Sequence, residues 1–108
     1  MAEHNIIGQK GEQIAVETMR KKGFRVVDTN WKFGHLEMDV IAVNRKEIAF
    51  VEVKTRTSSF GDKRPEEFVD ELKRRRMAAA ANAYIKIHQI ELVPRFDIIG
   101  ISMDPNTY

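Results

Sequence analysis

Residues 38–54 read Met38-Asp39-Val40-Ile41-Ala42-Val43-Asn44-Arg45-Lys46-Glu47-Ile48-Ala49-Phe50-Val51-Glu52-Val53-Lys54. Two apolar runs flank a short polar turn at Asn44-Arg45-Lys46, the pattern of two strands joined as an antiparallel hairpin. Antiparallel pairing brings the start of one strand beside the end of the other, so Asp39 and Glu52 are expected at the same sheet edge. Within the second strand alternate side chains share a face. Glu52 and Lys54 therefore point one way, and Val51 and Val53 the other. An acid and a base at this spacing often do no more than decorate a solvated face. Here Glu52 comes late in Ile48-Ala49-Phe50-Val51, which reads as an inner strand, where charge is costly unless paired or bound to a metal.

Upstream, residues 9–22 form an expected helix closed by Gly23, with Ile7, Ile14, Ala15, Thr18 and Met19 as its apolar stripe. Residues 24–28 read as a strand and 29–35 as a loop. Downstream, 55–64 read as a polar loop. Pro65 suits the first turn of a long helix that ends near His88. Phe68, Val69, Leu72, Ala79, Ala80, Ala83, Tyr84 and Ile87 supply its apolar side, and the run Ala78 to Ala81 is thin enough for close packing on a sheet. Residues 95–101 give a last strand, and 104–108 a frayed tail. The order is α-β-β-β-α-β. This is an α/β class with a mixed central sheet flanked by helices, and the long helix is a crossover expected to be right-handed.

The chain has 108 residues, so one domain over 1–108 is expected, with its core in about 7–102. Hydrophobic content of 43% and charged content of 31% suit a globular protein. The absence of cysteine excludes disulfides, zinc–thiolate sites and thiol nucleophiles. No apolar run approaches the roughly 20 residues of a membrane span. The opening Met1-Ala2-Glu3-His4-Asn5 lacks the basic and apolar regions of a signal peptide. The expectation is a cytoplasmic protein with no membrane partner. A net charge of +2 and a pI near 9.0 permit a nucleic-acid partner without demanding one.

The converging groups have a chemical logic. A phosphodiester is a poor electrophile ringed by charged oxygens. Magnesium, or manganese in its place, offsets that charge and prefers oxygen ligands with several waters retained. Asp39 and Glu52 would supply carboxylates and Val53 its carbonyl, and a coordinated water becomes a better nucleophile. Lys54 would orient that water or stabilise the transition state. Glu12 would add an acid if the first helix packs beside the strand ends.

Gly11-Glu12 in an early helix, Glu37-Met38-Asp39 with Val40-Ile41-Ala42, Val51-Glu52-Val53-Lys54 with Arg56, and Arg95-Phe96-Asp97 occur in that order. Together they resemble the YraN-type family of small predicted endonucleases, which is similar to archaeal Holliday-junction resolvases. The resemblance covers roughly residues 7–101. It implies a restriction-endonuclease-like fold, Asp39, Glu52 and Lys54 as the catalytic acids and lysine, Glu12 as the helical acid, and hydrolysis of DNA, branched or damaged DNA included. It also favours Lys73 as a nucleic-acid contact.

Arg56 and His35 are further candidates for nucleic-acid binding, and His35 also for a metal contact. Trp31 and Phe33 would stack on an unpaired base or close a small core. Arg95 and Asp97 share a face and read as a structural ion pair. Cutting both strands of a duplex needs paired sites, which a homodimer would supply. Two other readings stay open: a nucleic-acid-binding module without turnover, and a protein-interaction scaffold.

Overall fold

The computed structural model describes residues 2–56 and 71–102, with side chains for 8–55 and 71–102. The elements are α1 (Ala2–Lys21), β1 (Arg25–Phe33), β2 (Leu36–Val43), β3 (Glu47–Arg56), α2 (Glu71–His88) and β4 (Val93–Ser102). The strands form one sheet in the order β1-β2-β3-β4. β1 with β2 and β2 with β3 are antiparallel, whereas β3 and β4 are parallel. The parallel pair follows from α2, because parallel neighbours need a crossover connection. This α-β-β-β-α-β order on a mixed sheet flanked by helices is the restriction-endonuclease-like fold.

The β2–β3 turn is held by Asn44, whose Oδ1 accepts the N–H of Lys46 at 2.8 Å and of Glu47 at 2.6 Å. Asparagine suits this place because its side chain mimics a backbone turn. The turn fixes the hairpin register at Val43↔Ile48 through Val40↔Val51.

The sheet separates two apolar clusters. On one side Ala15 and Met19 of α1 pack with Phe24, Val40, Ala42, Ala49 and Val51. On the other, Met77, Ala80, Ala81 and Tyr84 of α2 pack with Met38, Ile41, Ile48 and Phe50. β3 alternates cleanly between them. β2 does not: Met38 joins the α2 cluster while Val40 joins the α1 cluster. Residues two apart in a regular strand share a face, so β2 turns over at Asp39.

Several expectations are corrected. α1 begins at Ala2, ahead of the expected start, and runs through Gly8 and Gly11. Gly11 faces β3 so closely that a Cβ there would overlap Thr55 Oγ1 and stand 3.1 Å from Thr55 Cβ. The buried line is Gly11, Ala15 and Met19, while Ile14 is 44% exposed. Ile14 lies one residue, about 100° of helical rotation, from that line.

The expected loop at 29–35 is largely strand. β1 continues to Phe33, and only Gly34 and His35 turn the chain before Leu36. A register shift between Val26 and Asp28, and Asn30 at φ 54°, interrupt the period that would have revealed this strand. On α2 the buried face is Met77, Ala80, Ala81 and Tyr84, whereas Leu72 and Ile87 of the expected side are 54% and 65% exposed. Trp31 closes the α2 cluster edge-on to Tyr84 at 5.1 Å, and the exposed Phe33 stacks on Trp31. The expected Pro65 helix start, the loop at 57–64, Phe68, Val69 and the tail at 104–108 lie outside the described residues. Among the described residues no helix is long and apolar enough to cross a membrane.

Candidate functional site

β3 is a central strand, and Glu52 continues the face of Ile48 and Phe50 beneath α2. It is the buried charged residue of the described core, at 5% exposure. Its Oε1 accepts a hydrogen bond from Lys73 Nζ at 2.6 Å, and Lys54 Nζ stands 3.7 Å from the same oxygen. Its Oε2 is buried with no hydrogen-bond partner among the described residues. A buried carboxylate oxygen without a donor is costly and calls for an explanation.

Asp39 stands across from Glu52, one step beyond the last hairpin pair, Val40↔Val51. Where the ladder ends, the side chain carries the connection: Val53 N–H donates to Asp39 Oδ2 at 2.7 Å. A strand residue's N–H and C=O lie on the same edge. The Val53 carbonyl therefore faces the Asp39 edge rather than β4. Burial raises the pKa of Asp39 from 3.8 to about 7. The Val53 hydrogen bond opposes that rise, and the charges of Glu52, Glu12 and Glu37 add to it.

A cleft of about 300 Å³ opens beside Asp39, lined by Gly8, Glu12, Asp39, Val53, Lys54 and Thr55. Glu12 enters it from α1, and its Oε1 accepts a hydrogen bond from Asn30 Nδ2 at 2.7 Å. Asn30 holds the left-handed backbone that asparagine tolerates better than most residues. The close approach at Gly11 is what brings α1, and with it Glu12, to the end of β3. Glu52 does not line this cleft; it sits behind, on the α2 side of the sheet. A larger groove of about 620 Å³ lies at the opposite end of the hairpin, around Arg25, Asn44, Arg45 and Lys46, and gathers no comparable set of acids.

The structure thus brings together Glu12, Asp39, Val53 and Lys54 around one cleft, with Glu52 directly behind. Lys73, a candidate nucleic-acid contact in the sequence, is hydrogen-bonded to Glu52. Burial works against its charge, but the hydrogen bond to Glu52 and the charges of Glu52 and Asp39 outweigh this and hold the ammonium above the ordinary lysine value. His35 is not brought in. It is exposed in the β1–β2 turn, four strand residues or roughly 13 Å of chain from Asp39. The Arg56 side chain lies outside the described residues. Arg95 and Asp97 form the expected ion pair, bidentate at 2.9 and 3.0 Å, and Arg95 also reaches Glu47 at 3.3 Å.

Sequence reasoning missed Asn30 and Thr55, and missed the place of Lys73. The last had a signal: Lys73, Met77, Ala80, Ala81 and Tyr84 follow helical spacing. A lysine in line with a buried stripe must find an acid.

Among the described residues no group of three or more His, Cys, Asp or Glu side chains gathers as a metal cage. Magnesium does not require one, because it keeps several waters and is commonly held by one or two carboxylates. The donor set here suits it: the buried Glu52 Oε2, without a donor among the described residues, Asp39 opposite, and the Val53 carbonyl on the same edge.

Residues 11–101 match the model of the uncharacterised protein family UPF0102. A UPF0102 protein of Porphyromonas gingivalis is 42% identical over 101 residues, covering 94% of this chain and 74% of the relative. Those of Bacteroides thetaiotaomicron and Parabacteroides distasonis are 44% and 46% identical, each covering 94% of this chain and 83% of the relative. On the family match and these identities, the chain belongs to the uncharacterised protein family UPF0102.

Proposed function

We propose that the protein is a magnesium-dependent nuclease that hydrolyses phosphodiester bonds in DNA, branched or damaged DNA included. The observation that carries this reading is the buried Oε2 of Glu52, without a donor among the described residues, set behind a cleft shared by Asp39, Glu12 and Lys54. Asp39, Glu52 and the Val53 carbonyl would hold the ion, and manganese would substitute for magnesium. When bound, the ion supplies charge neutralisation at the phosphate and a more acidic water. Lys54, which lines the cleft, would stabilise the oxygens on which charge develops. Glu12, held by Asn30, would add a further acceptor to the cleft for that water. Arg56, Lys73 and His35 were the sequence candidates for nucleic-acid contact; Arg56, which follows the cleft residues on β3, is retained for that role. A homodimer would supply a second site for the opposite strand.

The test is cleavage of a panel of duplex, forked and four-way DNA by the wild type and by Asp39→Asn, with and without magnesium. Metal-dependent cutting by the wild type that vanishes in Asp39→Asn supports the proposal. Wild-type protein that binds the same DNA without cutting any member of the panel refutes it.

A further inference from the structure

Two ammonium groups approach one oxygen of Glu52, and they do so unequally. Lys73 Nζ is at hydrogen-bond distance, 2.6 Å from Oε1, whereas Lys54 Nζ stands off at 3.7 Å. They also arrive from different sides. Lys73 comes from α2, four residues before the buried Met77, so it stands in line with the core-facing stripe of that helix. Lys54 comes from β3 and lines the cleft with Asp39 and Glu12, which Lys73 does not.

We propose that Lys73 is a positioning residue: it occupies Glu52 Oε1 so that Oε2 alone is presented and Lys54 stays free for the phosphate. Without it, Lys54 is the nearest cation to a buried carboxylate and collapses onto Oε1. It would then leave the cleft. This division of labour rests on the nuclease reading for its catalytic consequence, but the collapse itself does not depend on turnover. It also takes Lys73 out of the nucleic-acid contacts, where sequence reasoning had put it.

The experiment uses full-length, metal-free protein and compares wild type, Lys73→Met, Lys73→Arg, Lys54→Met and the Lys54/Lys73 double methionine variant. The first readout is the NMR signal of the lysine side-chain nitrogens, which sharpens when an ammonium is hydrogen-bonded and protected from exchange. The expected wild-type spectrum shows Lys73 protected and Lys54 exchanging. Lys73→Met should protect Lys54, and Lys73→Arg should leave Lys54 as in the wild type. A wild type in which Lys54 is the protected group, or a Lys73→Met spectrum in which Lys54 does not change, overturns the proposal. The wild-type spectrum and Lys73→Arg decide the matter even if Lys73→Met does not fold.

The second readout is single-turnover cleavage in magnesium. Lys54→Met should lose on the order of 100-fold. Lys73→Met should lose roughly tenfold or more, as outer partners of metal ligands do, with recovery in Lys73→Arg. The double variant should be no slower than Lys54→Met, because both changes remove the same ammonium from the cleft. Losses that multiply instead, or a Lys73→Met defect confined to DNA affinity with a shallower salt dependence, make Lys73 a phosphate contact and refute the assignment. A wild type that cuts no DNA sinks the nuclease reading, while the ammonium spectra still test the positioning role on their own.

Discussion

Asp39→Asn isolates one charge. The asparagine keeps the shape, and its side-chain carbonyl can still accept the Val53 N–H that Asp39 takes at 2.7 Å. Only the ionisation is lost. In the folded protein Asp39 titrates near 7 instead of 3.8, chiefly because burial disfavours its charge, with Glu52, Glu12 and Glu37 adding repulsion. Between those two values the folded state holds a proton that the unfolded chain has released. Stability must therefore fall as pH rises from about 4 to about 7, and level off on either side. At about 1.4 kcal/mol per pH unit, and discounting for partial solvent screening, the loss is about 2–4 kcal/mol. The variant lacks this slope. At pH 4 the two proteins should be nearly equal, and at pH 8 metal-free Asp39→Asn should be the more stable by about 2–4 kcal/mol. In thermal unfolding followed by circular dichroism, that is a midpoint higher by on the order of 10 °C. Magnesium at about 100 times its dissociation constant should return about 2.7 kcal/mol to the wild type and little to the variant. Parallel stability curves for the two proteins across pH 4–8 would refute the reasoning, since they would mean that Asp39 ionises in the usual carboxylate range.

Lys54→Ala should unfold within about 1 kcal/mol of the wild type, because its ion pair is long and partly exposed. It should bind magnesium in calorimetry and yet cleave on the order of 100-fold more slowly; wild-type rates would remove Lys54 from the chemistry. Gly11→Ala should destabilise by about 1–3 kcal/mol in urea unfolding despite its better helix propensity, because the new methyl overlaps Thr55. Adding Thr55→Ala should recover part of that loss, and no recovery would mean that the close approach is not the cause. DNA binding measured by fluorescence anisotropy should weaken linearly in log affinity against log salt, with a slope of about −0.9 per phosphate contact. A flat response would leave the basic residues without an electrostatic role.

The hairpin was legible because both of its signals are local: two apolar runs with an acid at each outer end, and a turn whose Asn44 closes it. The Glu52–Lys54 face follows from a strand's period of two and the meeting of Asp39 with the end of β3 from antiparallel pairing, and both are present. The outer half of β1 was not legible. Asn30 in the left-handed region and the shift at Val26/Asp28 break the alternation that marks a strand, so Thr29 to Phe33 read as loop. The helix stripes were misread for a related reason. On α1, Gly11 belongs to the buried line but carries no apolar signal, so the line was drawn through Ile14 instead. On α2, Lys73 continues a core-facing stripe while looking like one more surface cation. In each case a residue serves the tertiary contact rather than its own element's pattern: Gly11 serves Thr55, Asn30 serves Glu12, and Lys73 serves Glu52. Such residues become readable only when the contacting element is in place.

The sheet also works as a partition. The apolar interior against α1 and the one against α2 share no buried residue. Asp39 opens toward the first side, in the cleft with Glu12, while Glu52 is fastened to the second through Lys73. Of the two acids proposed to hold one ion, Glu52 is thus tethered to α2 through Lys73, while Asp39 is held within the sheet by the Val53 N–H. An ion drawn between them, as proposed, would pull α2 onto the sheet through Glu52 and Lys73. Run in reverse, the same linkage would make the seating of α2 a throttle on how firmly the ion is held.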